Sequence, residues 1–473
     1  MRKKILIMIF AVSLLSSLQG CNNIPVEENN VPDEENNGIV EEVQTPETVE
    51  PVQKTVEEQR LEIKEAMTLA MNTEVKWREI EEFRPTIEEY SYIRAITYDG
   101  FEYQGKKTKV FAYLGFPEGT SPDSKVPAIV LIHGGGGHPY LEWVKKWNDA
   151  GYAAIAMETT GCFPTEVNAC VSESTNALYA YEFTEPFAEE GYTLAPQSVY
   201  PTEYTEVKDQ WAYHGLSQVI FAHNILRQDE RVDIDRIGVT GISWGGTMTA
   251  QVIGYDTRFA FAIPIYGTAY LADPVKTFDN FADPYVSALW ASENNLDNAK
   301  MPILWLVSNT DQYFGVPSAS KSYEHTLGLN EKNSLAIIPS WRHSHTHGYE
   351  KPHSIAFADW AVNGGNGYLT FETQPQGREV NCKVNIPEGA TGIFARVLYV
   401  TEPLSYDSPD GSPVQEWKMS AKDVTVDVET GVVSGVIPQE AVEYYIHMLF
   451  KFENTTYHSN SVYVDISSDT LTE

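Results

Sequence analysis

Apolar runs and amphipathic segments alternate through the middle of the chain. Segments such as residues 140–150 and 211–227 have the periodicity of helices. Between these segments lie six apolar runs, each of the length of a buried strand: 128–133, 153–157, 236–240, 261–265, 302–307 and 334–339. Strands that are apolar on both faces are typical of a mostly parallel sheet covered by helices on both sides. The pattern predicts a doubly wound α/β domain over residues 60–367, which also contains two strands within residues 91–116 around Tyr98-Asp99-Gly100.

The pattern changes after a helix at 354–362 and the glycine-rich stretch 363–367. Five later segments alternate apolar and polar positions with period two: 380–386, 392–401, 424–428, 443–452 and 461–466. Short strands separated by Pro and Gly favour a sandwich of two antiparallel sheets. We therefore predict a smaller, immunoglobulin-like β-sandwich domain over residues 368–473.

An irregular insertion at residues 160–210 separates a strand from the next helix. It is rich in aromatic residues, namely Phe163, Tyr179, Tyr181, Phe183, Phe187, Tyr192, Tyr200 and Tyr204. A long loop within a compact domain is usually functional. The insertion is expected to form a lid or a substrate wall, although packing within the insertion itself is the alternative use of its tyrosines.

The N-terminus carries the features of an export signal. A basic start, Met1-Arg2-Lys3-Lys4, precedes an apolar run at 5–15 that is short for a membrane span. Gly20-Cys21 then resembles a bacterial lipobox, in which the cysteine is lipidated. The resemblance implies a signal peptide at 1–21 and an exported envelope or cell-surface lipoprotein, attached to the membrane only through lipid on Cys21. An ordinary cleaved signal is the alternative.

Residues 22–59 are predicted to be a disordered acidic tether. Eleven acidic residues up to position 58 face only Lys54, and the segment has no aromatic side chain to build a core. The whole chain has a formal net charge of −33, and no cluster of Lys and Arg follows the signal. Nucleic acid is therefore a poor partner, and a neutral substrate suits the chain better.

Cysteine spacing leaves two states open. In an exported chain, Cys162 and Cys170 are near enough in sequence to close a small disulfide loop, which would leave Cys382 free. Two buried, unpaired thiols are the alternative.

Ser243 has the sequence context of a nucleophile. It lies in Gly241-Ile242-Ser243-Trp244-Gly245-Gly246, after an apolar strand and before a helical segment. A strand, a sharp turn and a helix with glycines around the serine are typical of the nucleophile elbow of α/β-hydrolases. A common Gly/Ser turn is the alternative.

Further polar residues follow Ser243 in the order that α/β-hydrolases use, serine, acid and histidine. Asp311 follows the strand at 302–307, where a simple turn cap is the alternative role, and His343, His345 and His347 follow the last strand. The alternating histidines could equally bind a metal, but no other element offers further ligands, so no metal and no cofactor are expected.

A glycine run, 134–137, ends the strand at 128–133. At this position a glycine loop can aim backbone N–H groups at an oxyanion. We expect the amides of Gly134, Gly135 and Trp244 to serve in this way, whereas a turn without a catalytic role is the alternative.

The motif at 241–247, with Asp256-Thr257-Arg258-Phe259 and Pro264-Ile265-Tyr266-Gly267, resembles the acetylxylan esterase and dienelactone hydrolase group and the related catalytic domain of prolyl oligopeptidases. The resemblance covers about residues 90–365. It implies Ser243 as nucleophile, Asp311 as orienting acid and a histidine as base. Members tend to have a small residue before that histidine, which favours His345, whereas distance from the preceding strand favours His343; we place the base at His345 by a narrow margin.

The expected function is that of a serine carboxylic-ester hydrolase that removes acetyl or similar groups from a carbohydrate or small-molecule ester. About 70 residues lie between the signal and the region of resemblance that begins near residue 90, too few for the β-propeller of prolyl oligopeptidases. A peptidase on short peptides is the first alternative, in which Glu182, Glu185, Glu189 or Glu190 would hold a peptide terminus. A catalytically inert glycan-binding lipoprotein is the second.

Overall fold

A computed structural model describes residues 53–164, 200–272, 279–408 and 411–468, together with residues 167, 179–180, 191–193 and 195–196 of the insertion. The export signal, Cys21, residues 22–52 of the tether, Cys170, Tyr181, Phe183, Phe187 and the glutamates Glu182, Glu185, Glu189 and Glu190 lie outside these residues. Export, lipidation and the disulfide therefore stay predictions. Within the described residues, no helix combines the length and apolar character that a membrane span requires.

The helices are α1 (Val56–Met71), α2 (Leu141–Asp149), α3 (Trp211–Gln228), α4 (Trp244–Val252), α5 (Pro284–Trp290), α6 (Val316–Thr326), α7 (His345–Glu350) and α8 (His353–Val362). The strands up to the last helix are β1 (Trp77–Glu79), β2 (Arg94–Tyr103), β3 (Lys106–Gly115), β4 (Val126–Ile132), β5 (Ala153–Met157), β6 (Phe163–Pro164), β7 (Tyr179–Ala180), β8 (Val232–Ile242), β9 (Phe261–Ile265), β10 (Leu304–Ser308) and β11 (Ser334–Ile338). The later strands are β12 (Thr370–Phe371), β13 (Glu379–Asn385), β14 (Thr391–Val400), β15 (Lys418–Ser420), β16 (Val424–Val426), β17 (Val432–Val436), β18 (Glu443–Phe452), β19 (Thr455–Asn460) and β20 (Val464–Asp465).

One nine-stranded sheet forms the centre of the larger domain, in the order β1-β2-β3-β5-β4-β8-β9-β10-β11. Neighbouring strands from β5 to β11 in that order are parallel, and the pairs from β1 to β5 are antiparallel. The six apolar runs of the sequence lie on β4, β5, β8, β9, β10 and β11, and β5, β9, β10 and β11 are buried along their whole length. The predicted α/β sheet is confirmed, and the fold is that of an α/β-hydrolase.

Two predicted boundaries are wrong. The first hairpin turns at Gln104-Gly105, where both residues have positive φ (51° and 73°), rather than at Tyr98–Gly100. Tyr98 is instead fully buried within β2, and its hydroxyl donates to Gln218 O at 3.0 Å. Two residues with positive φ match the twist of antiparallel strands, so they fix the turn.

The folded chain also begins earlier than residue 60. Helix α1 starts at Val56 because Thr55 and Glu58 form a capping box, with the Thr55 Oγ1 accepting from Glu58 N at 3.2 Å and the Glu58 carboxylate accepting from Thr55 N at 2.7 Å. Lys54 then pairs with Glu62 and Glu206. The end of the tether at 59 is therefore four residues too late.

The C-terminal strands form two antiparallel sheets, β12-β13-β17-β16 and β15-β14-β18-β19, with β20 beside β18. The predicted strand at 461–466 is short, and the hairpin partner of β18 is β19, which its polar sequence concealed. The antiparallel character is confirmed, and the immunoglobulin-like topology stays a prediction.

This domain packs on the edge of the central sheet. Asn460, at the end of β19, accepts a hydrogen bond from Ile337 N of the edge strand β11 at 2.6 Å. Tyr406 accepts another from Val316 N, at the start of α6, at 3.1 Å. The C-terminal domain therefore covers the edge of strand β11, which would otherwise be exposed, and reaches the loop between β10 and α6.

Candidate active site

Ser243 occupies a strained turn between β8 and α4. Its backbone has φ 59° and ψ −118°, which a non-glycine residue adopts only when its surroundings impose it. Ser243 N donates to Ile265 O at 2.8 Å, which fixes the turn against β9. A Cβ at Gly241 would collide with the backbone of Gly245, and one at Gly245 with the carbonyl of Ile132. Gly241 and Gly245 are therefore required by close backbone packing.

A continuous chain of hydrogen bonds joins Ser243, His343 and Asp311. His343 Nε2 lies 2.9 Å from Ser243 Oγ, and His343 Nδ1 lies 2.7 Å from Asp311 Oδ2. The Asp311 carboxylate is buried, and its other oxygen accepts from Tyr313 N at 2.8 Å and Phe314 N at 2.9 Å. Asp311 thus caps the turn after β10, as the alternative role assumed, and also accepts from the imidazole. The arrangement sets the proton of His343 on Nδ1 and leaves Nε2 to accept the serine proton.

The segment that carries His343 is held by side chains at the end of β10. Ser308 Oγ accepts from Trp341 N at 3.1 Å, and Asn309 Oδ1 accepts from Ser340 N at 2.8 Å. Ser340 has a positive φ of 53°, so the chain turns sharply after β11. These contacts bring His343 over Asp311. No role was predicted for Ser308 and Asn309, although both lie within three residues of Asp311 at the strand's carboxyl end.

Aromatic rings enclose the imidazole of His343. Between ring centroids, Tyr266 stacks on it at 4.6 Å, Phe314 lies parallel at 6.0 Å, and Tyr313 makes a T-shaped contact at 4.9 Å. Tyr266 Oη donates to Arg342 O at 2.6 Å. Burial, aided by the Asp311 charge, raises the pKa of Tyr266, so the phenol stays neutral and keeps this bond. The packing leaves 16% of the His343 side chain exposed, which is enough for contact with a substrate.

The preference for His345 as the partner of Ser243 is wrong. His345 begins α7, and its Nε2 accepts a hydrogen bond from Gly134 N at 2.9 Å instead. His347 Nδ1 lies 2.7 Å from Ser344 Oγ, within the same helix. His343 reaches Asp311 because it still lies in the extended segment before the helix, as the distance from the preceding strand indicated. The three histidines thus point to three different partners, and in the described parts of the chain no group of His, Cys, Asp or Glu is arranged to hold a metal ion.

The glycine loop lies against the nucleophile, but its backbone N–H groups differ in whether they are already hydrogen-bonded within the protein. A Cβ on Gly134 would approach Ser243 Cβ to 2.9 Å, so this residue borders the serine directly. Its N–H is already bonded to His345, which contradicts Gly134 as an oxyanion donor in this conformation. Gly135 is exposed, and nothing in the described residues accepts from its N–H. Gly135 and Trp244, the residue after the serine, remain the candidate donors.

A buried pair of side chains, His133 and Glu158, supports the loop from behind. His133 Nε2 lies 3.3 Å from Glu158 Oε1, with both side chains 1% exposed, and His133 Nδ1 lies 2.8 Å from Gly134 O. Burial opposes charge on both groups, yet their attraction outweighs it, so the pKa of His133 is raised and that of Glu158 is lowered. Glu158 directly follows β5, and no motif in the sequence marks it.

The C-terminal end of the insertion packs beneath the nucleophile elbow. Tyr200, at its C-terminal end, is 5% exposed and packs with its ring centroid 5.6 Å from those of Trp211 and Trp244 and 4.8 Å from that of Phe281. Trp211 and Trp244 stack at 6.2 Å. At this residue the insertion builds core beneath the elbow, which agrees with the alternative use of its tyrosines.

Two of the cysteines lie within the described residues. Cys162 is buried with Sγ 3.2 Å from Thr160 Oγ1, and Cys382 is a buried free thiol.

Comparison with known proteins places the same region in a family context. The model of the prolyl oligopeptidase family matches residues 200–362, which include Ser243, Asp311 and His343. A probable dipeptidyl-peptidase 5 of Aspergillus flavus is 35% identical over 183 residues, which is 37% of this chain and 21% of that protein. The chain therefore spans about a fifth of the length of this relative.

Solved structures with a similar fold include an esterase and a peptidase. An acetyl xylan esterase from Paenibacillus sp. R4 is 17% identical with a TM-score of 0.45, covering 66% of this chain and 97% of the esterase. The acylaminoacyl peptidase of Pyrococcus horikoshii is 18% identical with a TM-score of 0.38, covering 54% of this chain and 39% of the peptidase.

The family match covers the elbow and every member of the hydrogen-bond chain. The nine-stranded sheet presents these residues at the carboxyl ends of β8, β10 and β11, where an α/β-hydrolase assembles its site. The fold is accordingly that of the α/β-hydrolase group, and residues 200–362 are similar to the prolyl oligopeptidase family.

Proposed function

We propose that the chain is a carboxylic-ester hydrolase that removes acetyl or similarly small acyl groups from carbohydrate. The observation that carries the proposal is the Ser243–His343–Asp311 hydrogen-bond chain, with distances of 2.9 and 2.7 Å. This geometry favours a working hydrolase over an inert glycan-binding scaffold, because a scaffold gains nothing from a strained serine held against an imidazole. The strongly acidic chain suits a neutral sugar ester better than an anionic polymer.

In the proposed reaction Ser243 Oγ attacks the ester carbonyl while His343 Nε2 takes its proton. The buried Asp311 carboxylate stabilises the imidazolium that forms. The negative charge on the carbonyl oxygen is met by the amides of Trp244 and Gly135. The C–O bond to the alcohol then breaks, His343 returns its proton to the leaving alcohol, and an acyl-serine remains. Water, activated by the same histidine, hydrolyses the acyl-serine to release the acid.

A peptidase on short peptides is the second candidate, and the family match at residues 200–362 favours it. An amide needs the same nucleophile and base but also a group that binds a peptide terminus. The glutamates that could do so, Glu182, Glu185, Glu189 and Glu190, lie outside the described residues. The two candidates therefore share one catalytic centre and differ in the substrate walls.

The test compares p-nitrophenyl acetate, acetylated xylan and an Ala-Pro p-nitroanilide with the purified chain. Ser243→Ala should lower ester hydrolysis by at least about a thousandfold, since loss of the nucleophile normally costs more than that. Ser287→Ala, a half-buried serine of α5, is the matched control and should leave the rate unchanged. Cleavage of the anilide alone would replace the esterase proposal by the peptidase. Ester hydrolysis that survives Ser243→Ala within about tenfold would refute both.

A further inference from the structure

His345 is one of the two histidines of the cluster that the Ser243–His343–Asp311 chain leaves unused, and it is the one that contacts the glycine loop. It is the first residue of α7, and Ser344 caps this helix by accepting from His347 N at 3.2 Å. The helix turns the His345 ring away from Asp311 and into the glycine loop. There its Nε2 accepts from Gly134 N at 2.9 Å, which places the imidazole proton on Nδ1.

The ring fits the loop closely. A Cβ on Gly137 would come within 2.5 Å of His345 Nε2, and one on Gly134 within 2.9 Å. The loop therefore admits the imidazole only because both residues are glycines. Tyr140, which follows the loop, also packs on the ring with 4.9 Å between centroids. One side chain thus contacts the beginning, the end and the flank of the glycine loop.

Gly134 is held at both of its backbone polar groups. Its N–H donates to His345, and its carbonyl accepts from His133 Nδ1 at 2.8 Å and from Gly137 N at 3.0 Å. Four consecutive glycines lose more conformational entropy on ordering than other residues would. External hydrogen bonds are therefore needed to keep one conformation of this loop. Gly135 follows directly, exposed and with no acceptor for its N–H in the described residues.

We propose that His345 is a positioning residue that fixes the glycine loop and so presents the Gly135 amide to the oxyanion of the transition state. The Gly134 N–H holds the loop through its bond to His345, and the Gly135 N–H is left to donate to the oxyanion. Preorganised donors stabilise developing charge because they need no rearrangement during the reaction. This inference rests on the proposed hydrolase chemistry and assigns a role to a residue that does not touch the substrate.

The experiment compares His345→Ala, His345→Gln and the control His347→Ala, with p-nitrophenyl acetate as substrate. His345→Ala should lower kcat by about ten- to a hundredfold, within the cost of losing one oxyanion donor, and leave KM within about threefold. Gln can offer an acceptor oxygen near the position of Nε2, so His345→Gln should recover most of kcat. His347→Ala alters the same helix without touching the loop and should match the wild type.

Two outcomes of the His345→Ala measurement would overturn the proposal. One is a kcat of His345→Ala within twofold of the wild type. The other is a change confined to KM, which would indicate a substrate contact rather than positioning. A folded His345→Gln variant as slow as the Ala variant would also contradict the role of the acceptor.

A second readout separates this inference from the proposed function. The rate at which a fluorophosphonate labels Ser243 also depends on oxyanion donors, because charge develops on the phosphoryl oxygen. It needs no ester substrate. If the wild type fails to hydrolyse esters, the proposed function fails, and the His345 role is then decided by labelling. Slower labelling in His345→Ala with faster amide exchange at 134–137 supports it, and unchanged rates of both refute it.

Discussion

Replacement of Asp311 by Asn tests the orientation of His343 without removing bulk from the site. The amide oxygen of Asn can still accept from Tyr313 N and Phe314 N, which now bind Asp311 Oδ1 at 2.8 and 2.9 Å. Its NH₂ group would then face His343 Nδ1, where the carboxylate now accepts at 2.7 Å. A donor at this position favours the tautomer with the proton on Nε2. That nitrogen could no longer take the proton of Ser243.

The expected decrease in kcat of Asp311→Asn is large. A histidine held in the wrong tautomer lowers kcat by about 10⁴ in serine hydrolases of this kind. This factor corresponds to about 5.4 kcal/mol of transition-state stabilisation. The fold should change little, because both backbone N–H groups keep an acceptor. Asp311→Ala would in contrast leave them buried without partners, at a cost of about 1–3 kcal/mol each in the free energy of unfolding.

The assay is kcat for p-nitrophenyl acetate together with the thermal midpoint Tm, for the wild type, Asp311→Asn and Asp311→Ala. Asp123→Asn, which removes a charge from an exposed carboxylate far along the chain, is the control. We expect a slow but stable Asn variant and a slow and less stable Ala variant. If Asp311→Asn keeps kcat within about tenfold of the wild type, Asp311 does not orient the base and is a turn cap only.

Two further predictions concern the C-terminal domain. Tyr406→Phe removes the acceptor of Val316 N, bonded at 3.1 Å, and should lower the free energy of unfolding by about 1–2 kcal/mol. It should also reduce kcat severalfold, because the affected loop carries Asp311. The control Tyr399→Phe, whose hydroxyl bonds the exposed Glu440, should change neither value when urea denaturation and kcat are measured. The buried His447 and the partly buried His458, with 2.8 Å between Nε2 and Nδ1, should make the fold acid-sensitive, because loss of hydration lowers the pKa of both, that of His458 to about 4. Unfolded histidines take up protons below about pH 6.5, so stability is retained above that pH and falls as pH decreases toward 4, by up to about 1.4 kcal/mol per pH unit for each histidine. Urea midpoints between pH 7 and 4.5 check this, and a His447→Gln variant with an equally steep loss would contradict it.

The C-terminal domain is coupled to the active site more closely than its sequence indicates. Tyr406 contacts the start of α6, and a Cβ on Gly411 would lie 3.0 Å from Gln312 O, next to Asp311. Asn460 also satisfies the edge strand β11, which the His343 segment follows. Residues of the C-terminal domain, about 100 positions further along the chain, therefore support the segments that carry Asp311 and His343. No periodicity reports such contacts, because they depend on how two separately patterned domains dock.

Local patterns of apolar and polar residues were sufficient to predict most strands of the central sheet. The runs on β5 and β9 were predicted with the bounds that the structure has, since strands buried on both faces must be apolar throughout. β19 was missed because its sequence, Thr-Thr-Tyr-His-Ser-Asn, is polar and half-buried. The hairpin at Gln104-Gly105 was misplaced because Asp99-Gly100 is an equally good turn signal in isolation, and the burial of Tyr98 decides between them.

The sequence by itself determined the class of fold, the strained serine between glycines and the order of serine, acid and histidine. These follow from constraints that act within a few residues or along a single strand. Only the tertiary structure decided which histidine faces Ser243, because His343 and His345 are two positions apart and differ in the direction that the start of α7 gives them. It likewise decided that Gly134 bonds to His345 and leaves Gly135 exposed. Such choices are made by hydrogen bonds between residues 100 and 211 positions apart, and no local pattern encodes the distance between two such groups.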